Sequence, residues 1–256
     1  MKNKPRVEGR MAELIVPHRE IVHRDVELVF VYPSFGPHNY RTIGKKILEK
    51  GLSIPTGYQT ASLLYGAYNS SELEFRGVQD IIDNNMLWVF NRNLWTHEGV
   101  YVAHDPEAIG ISWALDRDEL EERLRSGREV DGVRFSEDRS VSFAPKESYK
   151  LGDHTPESLS KDGFMVASFG PEGAEKIGEV VSKFGCKPQT GGGGTNLIKG
   201  SKSEYSPEYS VSILRNCTCA GESKLYFEGY FGLDGDYGCA YGVQKTGGTS
   251  ASENGV

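Results

Sequence analysis

The 256-residue sequence predicts an α+β fold, with helices and short strands mixed along the chain and no regular βαβ alternation. Three observations lead there. Segments with helical apolar spacing stand between short Val- and Phe-rich runs. One strand–turn–helix unit is written twice. Helical spacing disappears after about residue 199, where Ser, Tyr and Gly dominate. With 38% hydrophobic and 25% charged residues, the chain can bury a real core.

Taken in order, residues 27–32 (ELVFVY) read as a strand bounded by Pro33 and Gly36. A helix fits 39–50, because Ile43, Ile47 and Leu48 recur at helical spacing and Gly51 supplies a left-handed stop. A second helix spans about 56–68, with Ala61, Leu64, Tyr65 and Tyr68 on one face. The runs MLWVFNRNLW and GVYVAHD read as aromatic strands or as a strand and a loop, and that density of Trp88, Phe90, Trp95 and Tyr101 reads as core before it reads as a stacking platform. RDELEERLRSG is a helix for which Asp116 and Glu119 have capping-box spacing and Gly127 the position of a stop. GVRFSEDRSVSFAP is a hairpin, and Thr155-Pro156 opens another short helix. YSVSILRN, KLYFEGYF and CAYGVQ read as closing strands.

The duplicated unit is SFGPHNYRTIGKKILEKGLSIPTG (34–57) against SFGPEGAEKIGEVVSKFGCKPQTG (168–191), nine identities in twenty-four ungapped positions. Both copies are expected to run strand, SFGP turn, helix, Gly stop, then a Thr-Gly turn. The domain reading follows: residues 1–198 form an α+β body holding both copies, 199–243 a β-rich display region of the same compact unit, and 244–256 a flexible tail.

Composition narrows the function. A net charge of −7 with interspersed Lys and Arg offers no basic field, so no nucleic-acid partner is expected. No run of apolar residues is long enough for a membrane helix, and the basic N-terminus leads into PHREIVHRDVE where a signal peptide needs an apolar stretch. Cytoplasmic residence is the expectation, with export by another route left open. Cys186, Cys217, Cys219 and Cys239 read as reduced thiols; their spacing matches no zinc site, and no metal or cofactor is expected.

No enzymatic motif stands out, since GxSxG and HExxH are absent and neither SFGP copy carries P-loop Lys and Ser/Thr. No catalytic residue is assigned, and the sequence leans away from an enzyme. His18 and His23 are too awkwardly spaced for a metal pair, and His104-Asp105 has no companion nucleophile. The distinctive stretch is YFEGYFGLDGDYGCAYGV (226–243), whose Tyr, Gly and polar mixture resembles that of antibody-like contact surfaces. Asn216, Thr218, Glu222, Tyr226, Glu228, Tyr230, Phe231, Asp234, Asp236 and Tyr237 are the candidate ligand-binding residues, set between apolar anchors such as Ile213, Leu214, Leu225 and Val243.

Two resemblances accompany these residues. LWVFNRNLW…GVYV…DP followed by GVRFS…VSFAPKESYKLGDHTPESLSKDGF resembles an uncharacterised protein family of small-genome archaea over residues 30–190. VSILRN…LYFEGYFGLDGDYGCAYGV is similar to the end of C-type-lectin-like domains of the formylglycine-enzyme type, although Asn216-Cys217-Thr218 stands where those domains carry Gly-Gly-Ser-Trp after the Arg. The second resemblance implies a C-type-lectin-like β region and a variable protein of a diversity-generating retroelement. It would be a non-enzymatic binder of an unknown protein or other macromolecule through a diversified C-terminal surface. The alternative is an enzyme handling a small molecule or nucleotide with the SFGP turns at helix N-termini.

Overall fold

A computed structural model describes residues 4–8, 13–19, 25–104, 114–184, 187–191, 208–219, 222–230 and 237–244. The chain opens with three strands, β1 (Arg6–Glu8), β2 (Glu13–Arg19) and β3 (Asp25–Val31), paired antiparallel as a separate small sheet. Strand β4 (Phe35–His38) and three helices follow: α1 (Tyr40–Glu49), α2 (Gly57–Asn69) and α3 (Leu73–Asn84). The middle holds β5 (Met86–Trp95), β6 (Gly99–Ala103), α4 (Arg117–Leu124), β7 (Arg128–Val130), β8 (Val133–Phe135), β9 (Val141–Pro145) and β10 (Gly152–Asp153). Three more helices, α5 (Pro156–Ser160), α6 (Gly163–Phe169) and α7 (Pro171–Phe184), precede β11 (Lys187–Gly191), β12 (Glu208–Cys219), β13 (Glu222–Tyr230) and β14 (Gly238–Ala240). The architecture is α+β, as the sequence predicts.

Among the described residues the large sheet has eleven strands, with the path β10-β11-β13-β12-β5-β6-β9-β8-β7 and with β14 joining β4 to β5. Its pairings are antiparallel except β11 with β13 and β14 with β5. Strand β5 lies in the middle, and both its faces are covered, so its side chains are nearly all buried. On one face lie α2, α3, α5, α6 and α7 with the small sheet, around a core that includes Leu14, Phe30, Leu64, Phe75, Phe164 and Phe227. On the other face α1 packs Tyr40, Ile43 and Ile47 onto Trp88, Phe90 and Ile213, and α4 packs Leu120 and Leu124 onto Leu94, Tyr101 and Phe143. Each fully buried Ile or Leu of this kind contributes roughly 1.5–3 kcal/mol by leaving water.

Local signals account for most helix starts. Asn39 accepts from Thr42 N, Thr56 forms a reciprocal cap with Gln59, Asp116 accepts from Asp118 N and Glu119 N, and Thr155 caps α5 with Pro156 in its first turn. Leu48, expected on the buried face of α1, is 39% exposed; Ile43, Gly44 and Ile47 carry that contact. The aromatic run of β5 and β6 is core: Trp88, Phe90, Trp95 and Tyr101 are all buried. Two helices were not predicted. Phe75, Val78, Ile81 and Ile82 give α3 its buried side at helical spacing, and α6 is buried along its whole length.

The second SFGP copy departs from the expected unit. Ser34–Pro37 lies in and before a strand, whereas Ser168 and Phe169 end helix α6, Gly170 turns with φ +73°, and Pro171 starts α7. Only the helix of the unit is repeated. The region 199–243, to the extent it is described, is part of the large sheet, with β12 between β5 and β13. The tail from residue 245 onward lies outside the described residues.

Candidate functional site

Two pairs of polar residues at i, i+4 spacing face each other where α2 meets α7: Tyr58 and Ser62 on α2, Glu172 and Lys176 on α7. Small residues let these elements approach. A Cβ on Gly173 would sit 3.1 Å from Tyr58 Cδ2, and one on Gly66 would sit 2.6 Å from Val16 Cγ1. The second contact lays α2 on β2 and brings His18 to Ser62.

The side chains form a continuous chain. Lys176 Nζ donates to Ser62 Oγ at 2.8 Å, and Ser62 Oγ lies 2.9 Å from His18 Nδ1. The Ser62 hydroxyl also has Tyr58 O at 3.3 Å, a longer contact than the imidazole. Burial lowers the His18 pKa to about 4, with the Lys176 charge adding to the effect and Glu172 opposing it. The ring is therefore neutral at pH 7, and Nδ1 can accept the Ser62 proton while Nε2 carries its own. Burial also pushes the Lys176 amine below the usual lysine range, against the pull of Glu172 and Glu179. Among the described residues no carboxylate lies within ion-pairing distance of that amine. Its neighbours are the Ser62 hydroxyl and the face of Tyr58, 5.0 Å from Nζ to the ring centre. Tyr58 also packs on His18 with centroids 4.4 Å apart and donates its hydroxyl to Glu172. Ser62 is 1% exposed and His18 is buried, while Tyr58, Glu172 and Lys176 are half-buried. The chain thus has a sealed end at His18 and an open end at Lys176.

A second polar group lies beneath the end of α6. The pairing of β5 with β12 shifts register between Val211 and Ser212, whose partners on β5 are Arg92 and Val89, so Phe90 and Asn91 are extra residues of a bulge. Asn91 Nδ2 donates to Ser168 O at 3.1 Å, His104 Nε2 contacts Ala167 O at 3.2 Å, and Ser142 Oγ donates to the same oxygen at 2.7 Å. A carbonyl only accepts, so His104 Nε2 carries the proton and Nδ1 is bare; burial lowers its pKa to about 4. Asn91 Oδ1, His104 Nδ1 and Ser168 Oγ are sealed from solvent without a hydrogen-bond partner. Asp105, read with His104 as a pair, lies outside the described residues.

His154 and Asp162 form a structural staple. Asp162 Oδ1 accepts from Phe164 N and Met165 N at the start of α6 and Oδ2 from Lys150 N, while His154 Nε2 meets Thr190 Oγ1 at 2.9 Å. Burial pushes the Asp162 carboxyl up.

The ten residues proposed from sequence are dispersed along three segments. Tyr226, Glu228 and Tyr230 alternate on one face of β13, with Arg215 of β12 opposite Tyr226. Arg215 pairs with Glu228 at 2.9 Å and lies over the Tyr226 ring at 5.7 Å; Tyr230 packs near Trp88, and Asn216 donates to Asp83 at 3.0 Å. Tyr237 is 69% exposed. Thr218 and Glu222 occupy strand positions whose side chains lie outside the described residues, as do Phe231, Asp234 and Asp236 altogether. Nor does the sequence single out Ser62, Lys176, Tyr58 or Glu172, whose only advance sign is the i, i+4 spacing on each helix. Among the described residues no group of His, Cys, Asp and Glu is placed to hold a metal ion, and no helix is long and apolar enough to cross a membrane. Compared with known proteins, the chain matches no family, no curated protein and no solved structure.

Proposed function

We propose that the protein is an enzyme acting on a small molecule, with its reactive centre at the α2–α7 contact. The observation that carries this reading is the hydrogen-bonded chain Lys176–Ser62–His18, open at the amine and closed at a neutral imidazole. Burial of that amine, opposed by Glu172 and Glu179, shifts it toward its neutral, nucleophilic form. Ser62 can pass a proton between that amine and His18. Competitive acetylation of all lysines across pH 6–10, read by mass spectrometry, tests the reading: Lys176 should titrate below the other lysines, and Ser62→Ala should alter its profile. A Lys176 that titrates with the surface lysines would remove the reading.

A second reading, recognition of a macromolecule by the C-terminal strands, is favoured by the shared face of Tyr226, Glu228 and Tyr230 and by the exposure of Tyr237. A near-copy of codons 210–243 in the neighbouring DNA, differing mainly at adenines, would support it. Without such a copy, diversification of the surface has no basis.

A further inference from the structure

The open end of the Lys176–Ser62–His18 chain has a chemistry of its own. Lys176 Nζ sits against the flat face of Tyr58 and one hydroxyl. The charged and titratable groups around it are His18 on β2, Tyr58 and Tyr65 on α2, and Glu172 and Glu179 on its own helix; Tyr58 donates its hydroxyl to Glu172. Glu172 is engaged by a phenol, and both carboxylates oppose a negatively charged visitor. The one other described cation of this helix face, Lys183, is spent on Tyr68 O and Asn69 one turn and more away.

We infer that Lys176 is a catalytic amine that forms a Schiff base with a small uncharged carbonyl compound, an aldehyde in preference to a keto acid. The inference rests on the reading of the α2–α7 contact as a reactive centre. In the step, the amine lone pair attacks the carbonyl carbon and the carbonyl π pair moves to oxygen. One amine proton leaves through Ser62 Oγ to His18 Nδ1 and returns along the same path to the alkoxide oxygen, giving the carbinolamine and a neutral imidazole once more. Loss of the second amine proton and departure of the hydroxyl as water leave the imine, so one amine and one aldehyde give one imine and one water. No oxidant, reductant or metal enters. Lys176 touches the carbonyl; Ser62 and His18 act as positioning residues that move the proton. Glu172, one turn from Lys176 on α7 and hydrogen-bonded to Tyr58, repels a carboxylate there.

The test uses the full chain with propanal or pyruvate and sodium cyanoborohydride at pH 7, followed by peptide mass mapping. The expected result is a propyl adduct on Lys176 formed at least 10-fold faster than on any other lysine and faster than the pyruvate adduct. Lys176→Arg should abolish the fast adduct. Ser62→Ala should slow it several-fold and change its pH profile, with unchanged circular dichroism and melting behaviour, and Ser62→Thr should restore part of the rate. Labelling spread evenly over the lysines overturns the inference, as does a faster reaction with pyruvate. If competitive acetylation shows a depressed Lys176 and propanal leaves it unlabelled, the reactive centre stands and the aldehyde falls. If acetylation shows an ordinary lysine, both fall.

Discussion

Residues 34–57 and 168–191 share nine of twenty-four letters, and their structures agree only where a helix makes its own hydrogen bonds. Upstream, the same four letters are a strand beside β14 in one copy and a helix–helix joint in the other. Downstream, Thr56-Gly57 starts α2, whereas Thr190-Gly191 ends β11, with Thr190 donating to Lys150 O. A helix carries its backbone partners within itself, whereas a strand or a turn takes them from whatever the rest of the chain supplies.

The sharpest way to break this comparison is at the Thr-Gly ends. A Cβ at Gly57 would lie 2.0 Å from Ser168 O, while one at Gly191 would meet the Glu228 side chain at 3.0 Å. Gly57→Ala should therefore cost about 4 kcal/mol, by displacing α2 from α6, and Gly191→Ala about 1 kcal/mol; urea unfolding of both reads the difference. Equal losses would mean that the two ends are equivalent after all.

Next in size is the acid response. His18 beside α2 and His104 beneath the second copy both have folded pKa values near 4, against about 6.5 in the unfolded chain. Between those values the unfolded chain binds more protons, so stability is full above pH 6.5 and falls as pH drops toward 4. Each histidine can contribute up to about 3 kcal/mol to that loss. Unfolding free energy measured from pH 7.5 to 4.5 should fall along such a curve, and His18→Gln should flatten about half of it.

Smaller again is the contrast between the two SFGP glycines. Gly36 and Gly170 both have positive φ, +120° and +73°, which costs a substituted residue roughly 1–3 kcal/mol at either position. Only Gly36 adds a clash, its Cβ falling 2.6 Å from Gly238 O, while Gly170 faces open space. Gly36→Ala should be the worse by about 2 kcal/mol in the same assay. The smallest effect is expected at the helix starts: Asn39→Ala removes the cap on Thr42 N and should cost about 1 kcal/mol, and Pro171→Ala a few tenths, through the freer unfolded chain.

Much of the fold was legible because its signals are local. Asn39, Thr56, Asp116 and Thr155 announce four helices by capping chemistry that acts over three residues. Helix α3 carried an equally plain pattern in Phe75, Val78, Ile81 and Ile82. Helix α6 carried none, since a seven-residue segment buried on all sides shows no polar face to set its period. The reactive group was illegible for a different reason. Ser62, Lys176 and His18 are separated by 44 and 114 residues along the chain, and each is ordinary by itself.

By itself the sequence determined the α+β class, the starts of the four capped helices and the buried aromatic strands, because periodicity and caps are written within a few residues. The tertiary structure alone decided which SFGP copy became a strand, where the β5 bulge aims Asn91, and that a lysine, a serine and a histidine share one hydrogen-bonded chain. Those outcomes depend on partners far away in the chain, on how closely Gly66 and Gly173 let their elements approach, and on the water that burial removes.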